Sequence, residues 1–272
     1  MTAVMSRPPG AVRIGLRRGL LELRLYFRER EAVVFTFLMP VMLLSIFGAI
    51  FQGELGDTGV DYRQYFTAGM IASGMMSVTF VGLGVAIATE RDDGTLKRLY
   101  GTPMPRSSYF IGKTLLALTL SLLETAVLFA IGATLYGVEP PADPGRWFTL
   151  GWVFVLGVAA CSLLGIAMSS LPRTGRSAPA VLNLPFLALQ FTSGVFVLFD
   201  SLPGWLQQVA AIFPLKWMCQ GLRSALLPDT MLAMEPAGAW EHGRIALILG
   251  GWCAAGLVLC VLTFRWKGRQ DG

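Results

Sequence analysis

Two groups of residues carry what chemistry this sequence offers. One is the stretch ERDDGTLKRLYGTPMPR at 90–106, dense in charge and following 26 residues with none. The other is Glu124, a single acid inside a long apolar run. In 90–106, Asp92 and Asp93 stand just before a short helical pattern, where acids favour the positive end of the helix dipole. Gly94 permits a sharp change of direction. From Thr95 onward the pattern predicts a two-turn helix with Lys97 and Arg98 near its end, stopped by Pro103 and Pro105. The expected product is a stiff, charged knob joined without slack to the apolar segments on either side. A solvated loop that merely carries positive charge fits the same composition.

Glu124 admits three roles: a hydrogen bond to a neighbouring helix, a site for a cationic substrate, or a proton relay. An ionisable residue in an apolar span is a functional candidate by default. It does not forbid insertion. A central acid costs about 2.5–3.5 kcal/mol, against about 3.3–6.6 kcal/mol returned by the Leu, Ile, Phe and Val residues of 114–136. Asn183 is polar in another apolar run and would either tie helices together or line a pathway. His242 is the sole histidine and builds no metal site alone. Trp147, Trp205, Trp217 and Trp240 fall where an aromatic membrane belt is expected. The four cysteines form no C-x-x-C pair, and no Ser–His–acid set or metal-ligand cluster appears.

The elements that hold these residues follow from where charge is missing. Only 14% of the 272 residues are charged and 54% are hydrophobic. Charge-free runs cover 32–53, 64–89, 147–172, 177–199 and 245–264, and 114–138 is broken only by Glu124. About 20 apolar residues cross a bilayer core as a helix. The expected fold is therefore an all-α integral membrane protein of one domain. It has six spans near 33–52, 65–88, 112–136, 147–170, 179–199 and 245–264. The first run is long enough to stay as a span rather than act as a cleaved leader. With a cytoplasmic N-terminus, 17 Lys/Arg fall inside and five outside, the bias that orients membrane proteins. Both termini are then cytoplasmic, and the net charge of +5 needs no nucleic acid to explain it.

Residues 11–31 predict an amphipathic helix. Val12, Leu16, Leu20, Leu23 and Phe27 share one face beside a stripe of Arg13, Arg17, Arg24 and Arg28, a pattern suited to lying in the headgroup layer. Residues 201–223 are apolar but interrupted by Pro203 and Pro214, and predict short re-entrant or outer helices.

In this order and spacing, the sequence resembles the membrane subunits of ABC-2 type transporters, particularly drug exporters of the daunorubicin-resistance type. Residues 90–103 are similar to the family's E-x-x-x-G-T-L-x-x-L-x-x-T-P pattern. Residues 183–223, NLPFLALQFTSGVFVLFDSLPGWLQQVAAIFPLKWMCQGLR, resemble its fifth span, S-G-V-F turn, L-P-x-W-L and later P-L. The resemblance implies an exporter of two permeases and two ATPase subunits in a bacterial inner membrane, moving an amphipathic drug, lipid or glycan. It implies that 90–101 is a coupling helix seated on the ATPase. Glu90, Gly94, Thr95, Leu96 and Leu99 would be its coupling residues, with Arg91, Lys97 and Arg98 as polar contacts. The pathway would lie between the first, second and fifth spans of two permease copies, paired as a homodimer or with a sister permease. ATP and magnesium would belong to the partner. The nearest approach to a phosphate loop here, SSYFIGKT at 107–114, has Ser107 where the first glycine is needed. No cofactor is expected in this chain. The rival expectation is a proton-coupled secondary transporter using Glu124.

Overall fold

Gly15 and Gly19 decide how the first helix sits. They lie one turn apart on α1 (Ala11–Tyr26), and a Cβ at either would fall within 2.7 Å of Ile111 or Leu115. The backbone of α1 therefore packs closely along α6 (Arg106–Leu135). The computed structural model describes residues 10–266. The expected apolar stripe is not the face that meets protein: Val12, Leu16 and Leu20 stay 61%, 45% and 54% exposed. Arg13, Arg17 and Arg24 are exposed as well. The expected helix over 11–31 is broken at 27–29, and α2 (Arg30–Ile50) begins at once. The basic residues Lys267 and Arg269 of the tail lie outside the described residues.

Among the described residues, five helices are long and apolar enough to cross a membrane. They are α2, the composite helix Tyr62–Asp92, α6, α7 (Pro144–Met168) and α11 (His242–Thr263). The composite helix consists of α3 (Tyr62–Met76), a π-helical segment Ser77–Gly82 and α4 (Leu83–Asp92). The run expected as a fifth span, 179–199, instead gives α8 (Ala178–Thr192), only 15 residues. That is about 22 Å at 1.5 Å per residue, short of a core about 30 Å thick. The helix stops at Ser193 because the chain turns at Gly194, whose φ of +82° suits glycine. Two short helices follow, α9 (Gly204–Ala210) and α10 (Pro214–Leu226), within the expected 201–223 region.

The centre of the fold is α3, buried at every position from Tyr65 to Met76. Met70, Ile71 and Met75 pack with Val153 and Val158 of α7 and Met218 and Leu222 of α10. Gly165 brings α7 onto the π segment, where a Cβ would lie 2.6 Å from the Thr79 carbonyl oxygen. Small residues allow such approaches where lipid supplies no hydrophobic drive.

Candidate functional site

The charged stretch folds as an elbow. The composite helix ends at Asp92, and Gly94 adopts the left-handed conformation (φ 78°, ψ 7°). The Asp93 carboxylate then accepts the Thr95 N–H at 2.8 Å, opening α5 (Thr95–Tyr100). Arg98 donates to the Thr95 hydroxyl at 3.0 Å. Beyond the elbow, Arg106 lies over the Tyr100 ring at 4.6 Å and donates to its hydroxyl at 3.0 Å. The third long helix starts at Arg106 rather than near 112. Its first turns, with Tyr109 and Phe110, pack against Phe264 and Trp266.

Several elbow residues turn into the protein. Leu96 is fully buried with Leu83, Ile87, Tyr109 and Ile166, and Leu99 packs partly buried against the same cluster. Glu90 accepts from the Tyr109 hydroxyl at 2.7 Å and from Lys113 Nζ at 2.6 Å. Lys113, only 3% exposed, also meets the Glu22 carboxylate of α1 at 3.0 Å. Glu22 in turn pairs with Arg18 at 2.9 Å, and Arg18 stacks 4.8 Å over Tyr109. This chain of alternating charge is internally neutral, which is how buried charges are tolerated. Arg91 donates to the Ser169 carbonyl at the end of α7. Asp92 accepts the Gly175 N–H at 2.9 Å from the inner turn that leads to α8. Asp93, Lys97, Arg98 and Tyr100 form the outward face of the elbow. Of the eight residues expected to meet a partner, the structure therefore turns Glu90, Arg91 and Leu96 largely inward and only Lys97 and Arg98 fully outward.

A second feature is a groove of about 920 Å³ between α2, α3 and α8. Phe35, Met39 and Phe47 line it from α2, Met70 and Ser73 from α3, and Phe186 and Phe191 from α8. Its polar lining includes Asn183, whose amide donates to the Pro179 carbonyl of its own helix at 2.9 Å, and Gln190, bonded to Ser73. Glu124 lies beside this space on α6, 2% exposed, with neither carboxylate oxygen hydrogen-bonded by any described residue. The expected bond to a neighbouring helix is absent among the described residues.

At the end of the composite helix away from the elbow, around Tyr65, lie two buried cations to which sequence reasoning gave no role. Arg223, 2% exposed, lies 3.6 Å over the Tyr65 ring and donates to the Gly194 carbonyl. The Tyr65 hydroxyl accepts the Phe199 N–H at 3.3 Å. Lys216 donates to Gln220 at 2.7 Å and sits 3.7 Å over Trp217. Burial pushes the Lys216 pKa below its ordinary value, opposed by Glu235 and Glu241. Trp217 and Trp240 are buried and donate to the Ala211 carbonyl at 2.7 Å and Asp229 at 2.9 Å. Only Trp147 and Trp205 of the expected belt are exposed. His242 Nε2 lies 3.0 Å from the Ser224 hydroxyl. The available signal was positional: Lys216 and Arg223 are cations in a short, otherwise apolar segment.

Long apolar helices around an open groove, with a charged elbow at one end, define an all-helical membrane protein. The chain belongs to the ABC-2 type transporter family, whose model matches residues 14–227. It is 25% identical over 236 residues to a daunorubicin resistance ABC transporter permease protein of Streptomyces coeruleorubidus, covering 85% of this chain and 78% of that one. It is 23% identical over 243 residues to a probable doxorubicin resistance ABC transporter permease protein of Mycobacterium tuberculosis, covering 84% of each. A probable multidrug ABC transporter permease of Escherichia coli is 24% identical over 188 residues, 68% of this chain and 49% of that one.

Proposed function

We propose that this chain is the membrane subunit of an ATP-driven exporter of amphipathic molecules, driven by a separate ATPase that holds the ATP and magnesium. One observation carries the reading. The elbow is locked to α1, α6, α7 and the inner turn on one side, and presents Asp93, Lys97, Arg98 and Tyr100 on the other. A push on that face reaches four membrane elements without a flexible linker. The inward residues Glu90, Arg91 and Leu96 transmit force, while Lys97 and Arg98 meet the partner. Gly94, Thr95 and Leu99 shape and seat the lever.

The groove between α2, α3 and α8 is the pathway, completed by a second permease copy or a sister chain. Asn183 and Glu124 belong to it. The short α8 makes the sixth crossing, with α9 and α10 beyond its outer end. Both termini then face the cytoplasm of a bacterial cell, as the 17 inner Lys/Arg favour. The test is export from vesicles holding this chain and its ATPase. Transport should need ATP and survive collapse of the proton gradient. Transport without ATP that collapses with the gradient would instead establish the proton-coupled alternative through Glu124.

A further inference from the structure

A buried carboxyl with no partner requires a reason. Glu124 is 2% exposed, and neither oxygen is bonded by any described residue. Protonation does not remove the difficulty. A neutral acid keeps an O–H donor and a carbonyl acceptor, and a buried polar group left unmade costs about 1–3 kcal/mol. A positive charge brought to the site would satisfy the ionised form and offset its burial.

The surroundings show where such a charge would come from. Glu124 presses against Gly74, where a Cβ would fall 2.5 Å from its Oε1. Gly74 also lines the 920 Å³ groove, so the acid lies directly behind the glycine that forms the groove wall at this point. Ser77, one turn on, opens the π segment and lines the groove too. Wide turns of this kind gather at functional sites. A smaller cavity of about 210 Å³ shares Thr36 and Ser77 with the groove. The Tyr26 hydroxyl, which also lines the smaller cavity, donates to Thr36. Burial raises the Tyr26 pKa, and the bond to Thr36 lowers it. The groove has the size of a drug-sized ligand site, about 300–1,000 Å³. Its aromatic lining includes Phe35, Phe47, Phe186 and Phe191, and ring faces attract cations.

We infer that Glu124 anchors a positively charged group of the cargo at the α3–α6 side of the groove, so that the permease selects amphipathic cations. This rests on the groove being the transport pathway. The aromatic walls hold the apolar body, and the charge is held against the groove wall at Gly74, behind which the carboxylate lies.

The test compares two probes of similar shape: tetraphenylphosphonium, a cation, and triphenylphosphine oxide, which is neutral. Binding is measured on the full chain in lipid nanodiscs. Glu124→Gln should weaken phosphonium binding at least tenfold and change phosphine oxide binding less than twofold. Glu124→Asp should keep part of the cation preference. Gly74→Ala, whose methyl would displace the carboxylate, should lose the preference while the protein still folds by size-exclusion profile. Unchanged phosphonium affinity in Glu124→Gln, or an equal loss for both probes, would overturn the inference. So would a wild-type chain that binds neither. The export reading is tested separately, by whether wild-type efflux of whichever probe binds requires ATP, so its failure is distinguishable from the failure of this comparison.

Discussion

Lys113 on α6 lies 2.6 Å from Glu90 and 3.0 Å from Glu22, so one buried ammonium joins the end of the second long helix to the N-terminal helix. Glu90 thereby becomes an internal strut. The N-terminal helix becomes part of the same rigid body as the elbow, fixed by its glycine face and by this charge chain.

Lys113→Met should destabilise the protein by about 1.5–3 kcal/mol, because the partly buried carboxylates of Glu22 and Glu90 lose their shared charged partner. Thermal melting in detergent reads the loss. The double variant Glu90→Gln/Lys113→Met should cost less than the sum of the two single changes, with a coupling of about 0.5–3 kcal/mol. Strict additivity would mean that the pair does not act as a unit.

Gly94 holds φ at +78°, and no atom stands within 4 Å of where a Cβ would go. The cost of replacing it is therefore backbone strain, about 1–2 kcal/mol for an ordinary residue. Gly94→Val should insert normally yet lower the ratio of substrate exported to ATP hydrolysed. Gly94→Asn should lie near wild type, since Asn tolerates this conformation. Unchanged export by the valine variant would count against a stiff lever.

Leu96 and its neighbours Lys97 and Arg98 separate seating from contact. Leu96→Ala empties a buried site and should cost about 2–5 kcal/mol of stability. The double reversal Lys97→Glu/Arg98→Glu should leave the melting temperature within a degree or two and abolish co-purification of the ATPase. Retained co-purification would move the docking face elsewhere.

Glu235, near the outer end, carries a pKa raised by burial, countered by Arg223 and Lys216 and reinforced by Glu241 and Asp200. A raised folded-state value means that the folded chain holds its proton to higher pH than the unfolded chain. Stability from this group is greatest below the ordinary value of 4.5 and falls as pH rises through the folded value. The melting temperature should therefore decline above pH 4.5 for the wild type, and Glu235→Gln should flatten that decline. An identical slope in the variant would assign the dependence to other groups.

Much of the architecture was legible in one dimension. A charge-free run long enough to cross lipid has few options besides a helix; four such runs, and the run broken only by Glu124, are long helices in the fold. The turn at Gly94 and the two short helices bracketed by Pro203 and Pro214 were equally readable, because glycine and proline act on their own backbone. The run 177–199 gives a helix shorter than its hydropathy suggests, because hydropathy does not register a turn at Gly194 in an apolar setting.

Composition and local pattern thus determined that this is a helical membrane protein with a charged elbow after its second long helix. The tertiary structure decided which elbow residues point inward, that α1 packs by its glycines, and that no described residue bonds the Glu124 carboxylate. The reason is range. Helix formation and turning depend on neighbours within a few residues, which the sequence displays. The pairing of Glu22, Glu90 and Lys113, or of Tyr65, Gly194 and Arg223, joins distant positions whose proximity exists only once the helices have packed.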